Sequence, residues 1–85
     1  MAAIRFSFKP PKPAKEIFVC GDFNGWGREA PMAQLGKDWV SEMEIAPGEY
    51  EYKFLVDGIW FNDPNAVKQV PNLWGSDNSL LVVKP

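Results

Sequence analysis

Between Glu49 and Asn62 the chain reads EYEYKFLVDGIWFN, two runs of alternating side chains joined by Asp57-Gly58. Asp-Gly tolerates the positive φ that a two-residue hairpin turn requires, so this segment is expected to fold back on itself as a β-hairpin. The turn sets the register: Val56 faces Ile59, Leu55 faces Trp60, Phe54 faces Phe61 and Lys53 faces Asn62. Cross-strand partners share a face of the sheet. Trp60 therefore lies with Lys53, Leu55 and Asn62, while Tyr50, Tyr52 and Phe54 form an aromatic row on the opposite face and fill a core. A tryptophan and a lysine become outward neighbours.

The rest of the chain follows the same period. No stretch of ten or more residues keeps a 3.6-residue apolar stripe, and short period-two runs are separated by Gly, Pro, Asn and Asp. Ile4, Phe6 and Phe8 alternate with Arg5, Ser7 and Lys9, which predicts a strand over residues 3 to 9, ended by PPKP. Residues 15 to 21 (KEIFVCG) are apolar on both sides, as in a strand covered on both faces. GDFNGWG follows, and its Asn24-Gly25 pair predicts a tight turn that presents Trp26 from a loop. Residues 27 to 36 read as irregular. Lys37 to Ala46 reads as a strand with Trp39, Ser41, Met43 and Ile45 on one face, which makes Trp39 core. Pro47-Gly48 fits a type II turn that would return the chain as Glu49 to Val56 in a hairpin with that strand. Asp63-Pro64-Asn65 breaks the next hairpin, a loop runs through Pro71 to Asn78, and Ser79 to Val83 makes a last strand. These runs predict an all-β, immunoglobulin-like sandwich of about six or seven strands, one domain over residues 1–85.

With 85 residues the chain can build one core and has little surface left for a second. The single cysteine, Cys20, excludes an internal disulfide, which suits a reducing compartment. The opening MAAIRFSFKP alternates where a signal peptide would be continuously apolar, and no segment is long enough to span a bilayer. A soluble cytoplasmic protein with no membrane association is expected. The net charge of −2 argues against a nucleic-acid partner, since phosphate binding depends on clustered bases. Arg5, Lys9, Lys12 and Lys15 are spaced by prolines and strand residues, as on a solvated edge. Without histidine and with one cysteine, the common zinc, iron and copper ligand sets cannot be assembled, and the usual nucleophile–base pairs fail as well. Asp22 does not open an EF-hand loop, because the closing glutamate position falls on Ala33. Asp57 is accounted for by its turn and Asp63 by its Asp-Pro break. No catalytic residue, metal site or cofactor is expected, and a chain this short scarcely builds the deep cleft of a glycosidase.

Four tryptophans in so short a chain each signal either core or contact. Trp39 falls to the core by alternation. Trp26 and Trp74 stand in turn-rich loops and Trp60 on an outward face, so partial exposure is expected of each, against the alternative that neighbouring loops cover them. Flat indole faces suit the C–H faces of pyranose rings, while an ammonium such as Lys53 and an amide such as Asn78 can satisfy sugar hydroxyls. The plain alternatives are a solvated lysine and a turn residue bonded to its own backbone.

Three motifs, GDFNGW, W-x-x-x-M-x-I-x-P-G-E-Y-x-Y-K-F-x-V-D-G-x-W-x-x-D-P and WGSDNSLLVV, together resemble family 48 carbohydrate-binding modules, from about Phe6 to Val83. That family includes the glycogen-binding domain of the AMP-activated protein kinase β subunit and N-terminal modules of branching and debranching enzymes. The resemblance implies an early-set immunoglobulin-like sandwich that binds α-1,4-glucan oligo- or polysaccharides without catalysis. It makes Trp26 and Trp60 stacking platforms and Lys53 a hydrogen-bond donor to sugar hydroxyls. Asn78 would add polar contacts, and Ser76 stands where the kinase domain has threonine. Trp74 departs from that domain's leucine, and its indole either adds a third platform or blocks the family's binding mode. A glycogen-metabolism enzyme or a larger host protein is the implied partner. The alternative is a structural or protein-interaction early-set domain of a glycogen-related system with no sugar binding of its own.

Overall fold

A computed structural model describes residues 1–85. Eight strands form two antiparallel sheets: β1 (Ala2–Phe8), β2 (Ile17–Gly21), β3 (Ala33–Leu35), β4 (Asp38–Ile45), β5 (Gly48–Val56), β6 (Ile59–Phe61), β7 (Lys68–Pro71) and β8 (Asp77–Val83). One sheet has the order β1-β4-β3; the other runs β2-β5-β8-β7, with β6 also paired to β5. The only helical segment is a single 3-10 turn over Asp22–Asn24. The architecture is the immunoglobulin-like sandwich that the alternation predicts. No helix is long and apolar enough to cross a membrane.

The Asp57-Gly58 hairpin has the predicted register, Phe54↔Phe61, Leu55↔Trp60 and Val56↔Ile59. Both turn residues have positive φ, 48° at Asp57 and 84° at Gly58, the signature of a type I′ turn. The Asp57 carboxylate also accepts the backbone N–H of Lys15 and Glu16, at 3.1 and 2.9 Å, and so pins the tip of the hairpin to the entry of β2.

A second expected hairpin does not form. β4 does not pair with β5; it pairs with the whole of β1, from Ala2↔Ile45 to Phe8↔Trp39. Ala46 and Pro47 instead carry the chain across from one sheet to the other. Gly48 has a φ of 151°, far from the value near 80° that the third position of a type II turn needs. The layered core goes with the observed pairing: with β4 on β1, Phe6 and Phe8 meet Tyr52 and Phe54 from the opposite sheet. Cross-strand charges do not separate the two arrangements, since a Pro47-Gly48 hairpin would set Glu44 opposite Glu51 but also Glu42 opposite Lys53, and the observed pairing sets Arg5 opposite Glu42. The Tyr50 hydroxyl donates to the Ala46 carbonyl at 2.7 Å and holds the crossover in place.

Two strands are not among those expected: β3 lies in a segment that reads as irregular, and β7 leads into the loop expected from Pro71 to Asn78. β3 forms a tight hairpin with β4, and β7 pairs with β8 from Lys68↔Leu80 to Pro71↔Asp77. The free edge of β2 is covered by residues 30 to 32, through Val19 N–H to the Ala30 carbonyl at 3.1 Å and Met32 N–H to the Ile17 carbonyl at 2.8 Å.

Aromatic side chains from both inner faces interlock between the sheets. Phe8 stacks on Phe54 with centroids 4.7 Å apart, and Phe6 meets Tyr52 edge-on at 5.2 Å. Trp39 is buried in this cluster, as its place in the alternation requires. Beneath the sheet edge lies a buried polar network. The Tyr52 hydroxyl donates to Asp63 Oδ2 at 2.7 Å, and Asp63 N–H donates to Ser79 Oγ at 2.8 Å. Ser79 Oγ in turn donates to Gln69 Oε1 at 3.0 Å, and Gln69 Nε2 donates to the Asp63 carbonyl at 2.8 Å. Asp63 is therefore more than a break after a hairpin: it ties β5, the end of β6, β7 and β8 together.

Candidate functional site

The GDFNGW segment owes its shape to close packing. A Cβ on Gly21 would lie 2.6 Å from the Glu51 carbonyl oxygen and 2.7 Å from Tyr52 Cβ, so only glycine lets β2 approach β5 here. Asn24 staples the turn: its Oδ1 accepts Gly21 N–H and its Nδ2 donates to the Val19 carbonyl, both at 3.0 Å. Gly25 then adopts a φ of 63°, and Trp26 follows at 62°. A bulky side chain in this left-handed region costs about 1–3 kcal/mol and persists only where its surroundings hold it. Two contacts hold Trp26. Its backbone N–H donates to the Gly21 carbonyl at 2.9 Å, and its indole Nε1–H donates to Asp22 Oδ1 at 3.0 Å.

Trp60 reaches the same surface from β6. It stands on the outward face of the sheet above Leu55 and is 47% exposed. The Trp26 and Trp60 rings meet with centroids 6.2 Å apart and planes inclined at 70°. They form an aromatic corner.

The opposite wall comes from the loop between β7 and β8, and Asn72 organises it. Asn72 Oδ1 accepts the backbone N–H groups of Trp74 and Ser76 at 2.9 and 3.2 Å. Its Nδ2 donates to Ser76 Oγ at 2.9 Å and to Asn78 Oδ1 at 3.0 Å. At the tip of this loop Leu73 and Trp74 are 96% and 88% exposed. Lys53 Nζ donates across to Ser76 Oγ at 3.3 Å, and Asn78 Nδ2 donates to Glu51 Oε1 at 3.1 Å.

A groove of about 1140 Å³ runs between these walls, and Trp26, Lys53, Trp60, Trp74, Ser76 and Asn78 all line it. The structure thus brings every candidate site residue to one surface. It adds Asp22, Glu51, Asn72, Leu73 and Pro71, which sequence reasoning had not placed there. For Asn72 a signal existed, since asparagine ahead of a Gly-Ser turn commonly bonds its own backbone two residues on. For Asp22 there was none, because its second partner is 29 residues away. Two carboxylates and one ammonium line the groove, so it offers no cationic cradle for phosphate. It offers flat apolar faces ringed by hydrogen-bonding groups. Cys20, the single thiol, is fully buried under the sheet, and burial pushes its pKa up, away from the reactive thiolate.

Fold and groove together define an immunoglobulin-like sandwich with an aromatic-lined groove on its surface. Residues 4–85 match the family described as "Glycogen recognition site of AMP-activated protein kinase", and the chain belongs to that family. It is 39% identical over 70 residues to the β-2 subunit of 5'-AMP-activated protein kinase from Homo sapiens, a match covering 82% of this chain and 25% of the subunit. It is 36% identical over 70 residues to the β-1 subunit from Sus scrofa, covering 82% of this chain and 56% of that sequence. Protein FLOURY ENDOSPERM 6, chloroplastic, from Oryza sativa subsp. japonica is 38% identical over 72 residues, covering 84% of this chain and 13% of the rice protein. The chain spans about a quarter of the length of the β-2 subunits it matches.

Proposed function

We propose that residues 1–85 act as a single non-catalytic carbohydrate-binding domain that holds α-1,4-glucans of the glycogen and starch type in this groove. The observation that carries the reading is the aromatic corner. Two indole planes inclined at 70° suit a chain that turns from one ring to the next, as α-1,4-linked glucose does. They do not suit the flat ribbon of β-1,4-linked glucose. In this reading Trp26 and Trp60 stack on successive pyranose faces. Lys53, Ser76 and Asn78 hydrogen-bond the hydroxyls around them, and the exposed indole of Trp74 closes the far side as a third platform. A shallow surface of this kind supports affinities of about micromolar to millimolar. Weak attachment suits a domain that tethers a larger cytoplasmic host protein, or a glycogen-metabolism enzyme, to its polymer.

The test follows the indole N–H signals by NMR during titration with maltoheptaose and β-cyclodextrin, with cellohexaose as control. Saturable shifts of Trp26, Trp60 and Trp74 with the α-glucans alone are expected. Trp60→Ala should weaken binding by about 30-fold or more while leaving Tm unchanged, since a residue at the centre of a contact is worth about 2 kcal/mol or more. Signals that stay still at millimolar sugar would reduce the groove to a protein-interaction surface of the same fold.

A further inference from the structure

We infer that Asp22 fixes the angle between the two indole platforms and thereby makes the groove selective for glucans of preset curvature. The inference rests on the glucan reading above. The two carboxylate oxygens of Asp22 do separate work. Oδ1 accepts the indole Nε1–H of Trp26 at 3.0 Å, and Oδ2 accepts the backbone N–H of Glu51 at 2.8 Å. Glu51 belongs to β5, the strand whose other end pairs with β6 and carries Trp60 opposite Leu55. The carboxylate therefore links one platform to the sheet that bears the other.

The residue type follows from the donors. Both partners donate, so the bridging group must accept on both sides. An asparagine here would turn an N–H donor toward one of them. Trp26 needs such a hold, because its left-handed backbone, at a φ of 62°, is one that an indole-bearing residue leaves readily. With its N–H given to Asp22, the Trp26 ring contributes only its faces to a ligand. A rigid cyclic glucan can use those faces only at the set angle, whereas a flexible linear one can adapt to a ring that swings.

Three measurements on the 85-residue chain test this assignment. In the unaltered protein the Trp26 indole N–H should exchange with solvent more slowly than that of Trp74, and equal rates would overturn the clamp without any variant. Asp22→Ala should lose about two- to tenfold in affinity for β-cyclodextrin, the range expected when one interface side chain must be immobilised afresh. Its loss for maltoheptaose should be smaller. Trp26→Phe removes the indole N–H, so adding Asp22→Ala to it should leave the ratio of the two affinities unchanged. Equal losses for both ligands in Asp22→Ala, or the same loss in the Trp26→Phe background, would show that Asp22 serves only the sheet. Failure of the unaltered chain to bind either ligand would overturn the glucan reading and the selectivity with it. Binding by the unaltered chain with an unchanged ratio in Asp22→Ala would overturn the role of Asp22 alone.

Discussion

Replacing Tyr52 by phenylalanine isolates the buried network beneath the groove. The ring stays, and with it the edge contacts to Phe6 and Phe54 at 5.2 and 6.0 Å, so little apolar transfer energy is lost. What goes is the hydroxyl that donates to Asp63 Oδ2 at 2.7 Å, between residues only 4% and 7% exposed. A buried acceptor left without its donor costs about 1–3 kcal/mol. For a domain of this size that corresponds to a fall in Tm of roughly 5–20 °C, read by calorimetry or by circular dichroism. The pH dependence supplies a second readout. Burial first, then the hydrogen bond and charge of Asp63, push the Tyr52 pKa far above its ordinary value near 10. The folded state therefore keeps a proton that the unfolded state releases. Its contribution is whole below pH 10 and falls as pH rises further, by about 1.4 kcal/mol per unit. Tyr52→Phe should lose stability at neutral pH yet decline less steeply above pH 10. A Tm within 2 °C of the parent, or an unchanged alkaline slope, would refute the network as described.

Trp39→Ala should cost about 3–5 kcal/mol by opening a large cavity among the interlocked aromatics, and a urea melt that barely moves would remove Trp39 from the core. Gly21→Ala should cost about 1–3 kcal/mol, because the new methyl group meets the Glu51 carbonyl and Tyr52 at distances no relaxed packing allows. The same melt checks this, and a stable Gly21→Ala chain would mean that β2 and β5 can separate without harm.

What the chain discloses of its fold depends on the range of the forces involved. The Asp57-Gly58 hairpin and the burial of Trp39 are local facts, set by turn chemistry and by alternation, and both were legible. The crossing from β4 to β5 was not, because Pro47-Gly48 suits several turns and the partner that β4 takes, β1, lies in a distant part of the chain. β3 gave no signal because Ala33, Gln34 and Leu35 are all exposed, so no inward position marks an alternation. Trp26, Trp60 and Trp74 could be named because indoles outside a core pattern are conspicuous, Lys53 because the hairpin register sets it beside Trp60, Asn78 as an amide able to meet sugar hydroxyls, and Ser76 only through the family resemblance. Asp22 and Asp63 act through hydrogen bonds to groups far along the chain, and their importance appears only when the chain is folded.

The division of the strands between two sheets also orders the events of folding. The pairings that close each sheet join distant parts of the chain, Ala2 with Ile45 and Ile17 with Val56, and each must overcome the entropy of closing a long loop. The β5–β6 and β7–β8 hairpins need no such closure. A sandwich of this contact order assembles in milliseconds to seconds, whereas a hairpin forms in about 1–10 microseconds. Trp60 and the Trp74 loop therefore ride on local hairpins, while Trp26 depends on the long-range docking of β2 against β5, and the aromatic corner is complete only when those two strands pair.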